Sequence, residues 1–170
     1  MEPFAIADFT LDYAQYAKFH KFHRQKGARK ILSIITNIAS AIGLYILIFD
    51  FRKEMVGMMA ILIFYFALKV FNSIFLPRLQ YKNLKKPLEA PKKLQLFADH
   101  FTIEHYSAQF SGNTSMNYDA LYKVYETDDM FYLYINNFQA HLLPKAALGE
   151  EAVRALRPVL HAKLGKNFIF

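Results

Sequence analysis

The sequence predicts an α+β membrane protein, in which a two-helix transmembrane hairpin carries a small antiparallel β-rich domain closed by a C-terminal helix. Three observations support this class. Two long apolar runs lie between residues 31 and 76, alternating apolar and polar residues follow from residue 94, and a helical pattern ends the chain. Of the 170 residues, 54% are hydrophobic, which is high for a soluble protein of this size.

Residues 1–30 predict a short strand followed by an amphipathic helix. Residues 4–9 alternate, and Thr10 is suited to cap a helix that starts just after it. Aromatic and basic residues then fall on opposite sides of a helical wheel, which favours a helix lying on the membrane or on the β-rich domain. We expect the strand to join the later sheet.

The apolar runs predict membrane spans at residues 31–50 and 55–76. Residues 31–49 carry no charge, and at ~1.5 Å per residue they approach the ~30 Å hydrocarbon core of a bilayer. Only Lys69 interrupts the second run. A buried hairpin of a soluble protein is the alternative, but the remaining residues are too few to cover it. A signal peptide is not expected, because thirty residues precede the first run and no cleavage pattern follows it.

Basic residues predict the orientation of the hairpin. Six precede the first span, six follow the second, and the connecting loop holds only Arg52 and Lys53. The flanking residues are Lys18, Lys21, Arg24, Lys26, Arg29 and Lys30, then Arg78, Lys82, Lys85, Lys86, Lys92 and Lys93. We therefore expect both termini in the cytoplasm. The net charge of +7 then faces anionic headgroups, and no nucleic-acid partner is needed.

Small and polar residues follow one face of the first span at three- and four-residue spacing. They are Ser33, Thr36, Asn37, Ser40 and Gly43. Such a face packs closely against another helix and forms interhelical hydrogen bonds. The functional alternative is a polar pathway through a homo-oligomer, with Lys69 taking part. We favour packing, because one hairpin is too small to enclose a pore, and we expect Lys69 to extend to the cytoplasmic interface.

The remaining sequence divides into a basic linker at residues 77–93 and a β-rich domain at residues 94–170. Three prolines and a run of charges predict the linker. Five or six strands are predicted between turns at 98–99, 112–113, 128–129 and 136–137. A final helix begins near residues 149–151 and buries Val153, Leu156, Leu160 and Leu164. Pro158 is expected to kink or divide it, and Gly165 to end it.

Several segments together resemble the YcxB-like family of small bacterial membrane proteins. They are "TLDYAQYAKFH", the apolar hairpin, "FTIEHY", "YDALYKVYETDDMFYLYI" and "AHLLPKAAL". The resemblance implies a membrane anchor with a small cytoplasmic domain, similar in outline to pleckstrin-homology-like (PH-like) folds. It implies no catalytic residue and no ligand, and fold-level similarity does not define a function.

Candidate chemistry is sparse in this sequence. The absence of cysteine excludes thiolate catalysis, disulfides and Cys-ligated zinc. None of the four later histidines has a sequence-local nucleophile or acid in a recognisable catalytic arrangement. His20 and His23 could bind a metal only if further ligands joined them. We therefore expect no enzyme activity, cofactor or metal. Lys145 is a candidate for binding an anionic headgroup or an acidic partner, and Tyr132 and Tyr134 are candidates for a protein-binding surface, with a core role as the favoured alternative.

Three functions remain open from the sequence. The leading hypothesis is a non-enzymatic inner-membrane protein whose cytoplasmic domain docks a protein or a lipid headgroup. The second is an immunity protein that neutralises a membrane-active toxin. The third is a subunit of a homo-oligomeric channel or transporter, which rests on the polar face of the first span and on Lys69.

Overall fold

The computed structural model describes residues 2–26, 28–49, 56–107 and 110–170. The chain forms two compact units, a helical unit of residues 13–85 and a β-rich unit that joins residues 1–12 to residues 86–170. The segment predicted as residues 1–30 is thus divided after Asp12. Its strand belongs to the β-rich unit and its helix to the helical unit.

The helical unit contains α1 (Tyr13–Gln25), α2 (Ala28–Phe49) and α3 (Val56–Val70), followed by a π-helical turn at Phe71–Phe75 and by α4 (Leu76–Glu89), whose last four residues belong to the β-rich unit. The continuous helix Val56–Glu89 is long and apolar enough to cross a membrane. Within the described residues, the helices Tyr13–Gln25 and Lys30–Ile46 form a second span only if they are counted as one helix, although the angle between them is 78°. The structure therefore supports one spanning helix. The span at residues 31–50 remains a prediction, and the connecting residues 50–55 lie outside the described residues.

Helix α4 occupies most of the segment that the sequence assigned to an irregular linker. The prolines do not stop this helix. Pro77 follows the π-helical turn, where the hydrogen-bond register has already changed, and Pro87 lies in the last turn. The helical periodicity of the spanning segment therefore continues past the apolar run.

The first sheet of the β-rich unit is antiparallel, in the order β1 (Ala5–Phe9), β2 (Lys92–Leu96), β3 (His100–Ser107) and β4 (Phe110–Asn117). The pairing of β1 with β2 confirms that the N-terminal strand joins the later sheet. The turn predicted at residues 112–113 is wrong, because Gly112 and Asn113 lie inside β4 opposite His105 and Glu104. An edge strand such as β4 accepts polar residues, since one of its sides has no neighbouring strand.

The second sheet has the order β7-β6-β5-β8, with β5 (Lys123–Glu126), β6 (Met130–Tyr134), β7 (Ala140–Pro144) and β8 (Phe168–Ile169). The predicted turns at residues 128–129 and 136–137 connect β5 to β6 and β6 to β7. Strand β8 pairs with β5 in parallel, whereas the other pairs are antiparallel. Every residue of β6 is buried, as expected for a strand covered on both faces.

Helix α5 (Lys145–Leu164) closes the β-rich unit. The four leucine and valine residues predicted to face inward are all buried. Pro158 does not divide the helix. The break lies instead at Gly149, whose φ of 77° and ψ of 162° are not helical, and Gly165 ends the helix as predicted. A short first turn is thereby separated from the main body of α5.

Candidate functional site

An exposed aromatic ring lies on a well-ordered turn between β6 and β7. The Asn136 Oδ1 atom accepts hydrogen bonds from the backbone N–H groups of Phe138 and Gln139, at 2.8 and 2.9 Å. The Asn136 side chain also donates to Gln139 Oε1 at 3.0 Å, and the Ile135 N–H donates to the Gln139 carbonyl at 2.9 Å. The turn thus holds Phe138 in place while 70% of that residue is exposed.

A second aromatic residue and a cation occupy the same end of this sheet. Tyr122 is 42% exposed, and its backbone N–H donates to the Tyr134 carbonyl at 2.8 Å, next to the turn. The Lys123 ammonium lies 5.5 Å from the centre of the Tyr122 ring. We call Tyr122, Lys123 and Phe138 the aromatic tip.

Tyr132 and Tyr134 are not part of this surface. They are only 2% and 0% exposed, and the Tyr125 ring packs edge-on against Tyr134 with 5.6 Å between ring centres. The candidate role of these two tyrosines in a protein-binding surface is therefore corrected to a role in the core. Sequence reasoning missed Phe138, and the available signal was a large apolar residue directly after the turn predicted at residues 136–137.

Lys145 belongs to a partly buried ionic cluster with Glu126 and Arg157. The Glu126 carboxylate, whose side chain is 5% exposed, accepts from Lys145 Nζ at 2.6 Å and from Arg157 Nη2 at 2.6 Å. Burial by itself raises the pKa of Glu126, but hydrogen bonds and charges from Arg157 and Lys145 outweigh burial, and the net pKa is lowered. The ionised carboxylate is thus the stable form.

This cluster changes the interpretation of Lys145. Its side chain is 17% exposed, and its ammonium pairs with Glu126 and lies 5.2 Å from the centre of the Phe131 ring. The neighbouring cavity of about 610 Å³ is lined by charges of both signs, including Asp128, Glu150 and Arg154. Lys145 therefore joins the start of α5 to β5, and a bound anion would compete with Glu126.

The polar face of α2 contacts α3 through side chains of both helices, and the Tyr65 side chain forms hydrogen bonds with Thr36 and Ser40. The Lys69 ammonium donates to Asn37 Oδ1 and lies 5.5 Å from the centre of the Tyr65 ring. Gly43 allows close approach, because a Cβ atom there would lie 3.4 Å from Leu62 Cδ1. These contacts correspond to the packing expected for the face, and they place Lys69 against α2 rather than extended to the interface.

The hydroxyl groups of the same face bond along their own helix. Ser40 is buried, and its hydroxyl donates to the Thr36 carbonyl at 2.7 Å, while the Thr36 hydroxyl donates to the Leu32 carbonyl at 2.9 Å. Ser33 and Thr36 also line a cavity of about 450 Å³ within the helical unit. Basic side chains of α1 and α3 complete that cavity.

His20 and His23, the spaced pair on α1, have different surroundings. His20 lines the cavity, and both burial and the nearby charge of Arg24 lower its pKa. The His23 ring lies against Phe19 with 5.7 Å between ring centres. Among the described residues, no three His, Asp or Glu side chains are grouped in a way that would hold a metal ion.

Lys92 is a buried lysine that sequence reasoning had placed among the headgroup-facing cations. Only 6% of it is exposed, and its ammonium donates to the carbonyls of Leu88 and Ala90 at the end of α4, at 2.5 and 3.0 Å. Burial lowers its pKa from 10.5 to about 8. The side chain therefore caps a helix end.

We expect the pKa of Lys92 to make the protein more stable as the pH rises from 8 to 9.5. The unfolded chain keeps the lysine protonated over this range while the folded chain releases the proton, so folding gains up to about 1.5 kcal/mol. Urea unfolding of the full chain in neutral detergent, followed by near-ultraviolet circular dichroism, measures the change. Lys92→Met should flatten this pH dependence, whereas Lys93→Met should retain it. An unchanged slope in Lys92→Met would refute the assignment.

Together, the described residues form one helix able to span a membrane and an α+β unit of two sheets and a closing helix. Residues 98–157, from the turn before β3 to the middle of α5, match the family model described as YcxB-like protein. This match confirms the family resemblance predicted from the sequence. Searches among curated proteins and among solved structures returned no match.

Proposed function

We propose that this chain is a non-enzymatic protein of the bacterial inner membrane, whose β-rich unit lies in the cytoplasm and docks a protein partner through the aromatic tip. One observation carries the proposal. Phe138 is 70% exposed on a turn that four hydrogen bonds stabilise. Exposing a large aromatic ring on an ordered turn has a hydration cost that binding removes.

The order of the turn favours binding for an entropic reason. A side chain held by its backbone loses little conformational freedom on association, and aromatic residues are frequent at the centres of protein interfaces. Lys123 adds a positive charge beside Tyr122. The partner that fits this chemistry has an apolar pocket for Phe138 and acidic groups around the pocket.

The anchor of the proposal is the helix Val56–Glu89. We propose that α2 forms a second span, so that the two helices make the hairpin predicted from the sequence. The excess of basic residues at both outer ends of the hairpin supports a cytoplasmic location for both termini. The two sheets and the closing helix are compatible with a PH-like fold, which is itself part of this proposal.

The alternatives have different support. A lipid headgroup is a second possible ligand of the aromatic tip, since Phe, Tyr and Lys side chains also suit a membrane surface. The contact of Lys69 with Asn37 supports helix packing more than a pathway through a channel or transporter. The toxin-neutralising hypothesis rests only on the small size of the protein and its compact anchor.

Site-specific photo-crosslinking tests the docking proposal. A photoreactive phenylalanine analogue at position 138 of the full chain, expressed in bacterial membranes, should give a discrete protein adduct. The matched control is the same analogue at Tyr106, which is 51% exposed in the same unit. Phe138→Ser should abolish co-purification of the crosslinked protein, and Tyr106→Ser should preserve it. Adducts of equal yield from both positions, or adducts with lipid alone, would contradict the proposal.

A further inference from the structure

A cavity of about 450 Å³ in the helical unit is lined on several sides by basic groups. His20, Lys21 and Arg24 come from α1, and Lys69 comes from α3. Hydroxyl groups of Ser33, Thr36 and Ser73 also line it, and none of the described lining residues is an aspartate or glutamate. We call this space the basic cavity.

Arg24 is fixed in the wall of this cavity by the irregular helix beside it. In the π-helical turn the Leu76 N–H donates to the Phe71 carbonyl, five residues back. In that register the N–H of residue 77 would donate to the Asn72 carbonyl, but residue 77 is proline and has no N–H. Arg24 Nη1 supplies the missing donor at 2.7 Å. Because a guanidinium has five N–H donors, Arg24 retains others for a ligand in the cavity.

Lys69 is fixed in a similar way from the opposite side. Its bond to Asn37 holds the ammonium near the cavity rather than along the helix surface. Burial and, to a smaller extent, the charge of Arg24 lower the pKa of His20 in the same cavity. Positioned cations without a lining carboxylate form a site that gains from an anionic ligand.

We propose that the basic cavity binds a phosphate group, carried either by a phospholipid headgroup or by a free phosphate compound. The planar guanidinium of an arginine can donate two parallel hydrogen bonds to phosphate oxygens, and lysine ammonium groups add positive charge beside them. The cavity is larger than one phosphate, and Ile34 and Ile35, adjacent in α2 to its lining residues, are 49% and 57% exposed. A headgroup with its acyl chains along α2 would use both features. This inference is independent of the docking role of the aromatic tip.

Binding of short-chain lipids to the full chain in neutral detergent tests the proposal. Isothermal titration with dioctanoyl phosphatidylglycerol should give saturable binding, and dioctanoyl phosphatidylcholine should bind clearly more weakly. Lys21→Gln and Lys69→Met should each lower the affinity about fivefold, as expected for one basic residue. Inorganic phosphate added as a competitor separates the two sources, because displacement of the lipid indicates a site for free phosphate and no displacement indicates a headgroup site.

Two control variants make the outcome decisive. Lys82→Gln removes an exposed charge of α4 that does not line the cavity, so it should leave the affinity unchanged. Asn37→Leu removes the bond to Lys69 but keeps the charge, so it separates helix packing from ligand binding. An equal loss in Lys82→Gln, equal binding of both lipids, or a loss in Asn37→Leu with none in Lys21→Gln would overturn the proposal.

Discussion

Glu126→Gln is expected to lower the free energy of unfolding by about 2 kcal/mol, because it removes the negative charge that accepts hydrogen bonds from both Lys145 and Arg157. Urea unfolding of the full chain in neutral detergent measures this loss. Glu150→Gln is the matched control, since Glu150 pairs with Arg154 where both side chains are exposed, at 89% and 76%. That change should have no measurable effect. Equal effects of the two substitutions would contradict the assigned role of Glu126.

The double variant Glu126→Met with Lys145→Met identifies the cause of the loss. If the loss comes from a buried cation left without a partner, removing both charges should restore most of the stability. If it comes from lost attraction alone, the double variant should be as unstable as Glu126→Gln.

The contribution of Glu126 to stability should decrease as the pH falls. Its pKa is lower in the folded chain than in the unfolded chain, so the cluster stabilises the protein above the ordinary carboxyl pKa. This contribution is lost as the pH falls through the pKa of the folded state. Glu126→Gln should therefore be less sensitive to acid than the original protein in the same unfolding experiment.

Local sequence signals predicted the parts of the fold that depend on neighbouring residues. The turns at residues 128–129 and 136–137 depend on short polar pairs, and the buried face of α5 depends on a helical period. The turn at Gly112 and the irregular linker were wrong because edge position and helix continuation decided those segments. The position of a strand at the edge of a sheet and the continuation of a helix both depend on residues far from the segment itself.

The candidate sites depended still more on distant contacts. Lys145 stands out in the sequence as a free cation, but its partner Glu126 is 19 residues away, and Arg157 reaches the same carboxylate over 31 residues. Lys92 was assigned to the membrane surface because it lies in a basic run. It is buried because its ammonium binds a backbone carbonyl at the end of α4. The basic cavity combines three separate helical segments, so no single stretch of sequence predicts it.

Gly149→Ala is expected to destabilise the β-rich unit by about 2–3 kcal/mol for a purely conformational reason. At φ 77° and ψ 162° the backbone occupies a region that only glycine adopts readily, and a Cβ atom there would meet no other side chain. Gly112→Ala is the matched control, because its added Cβ also meets nothing and its φ is not positive. The control should unfold at the same urea concentration as the original protein.

Glu126 and Gly149 should be energetically coupled, because the carboxylate bridges the break that the glycine makes. Lys145 precedes Gly149, Arg157 follows it, and both donate to Glu126. If alanine at position 149 moves the first turn of α5 away from the main helix, it already weakens this bridge. The double variant Gly149→Ala with Glu126→Gln should then lose less stability than the sum of the single changes, by more than about 0.5 kcal/mol. Strict additivity in the double-mutant cycle would show that the cluster does not hold the two parts of α5 together.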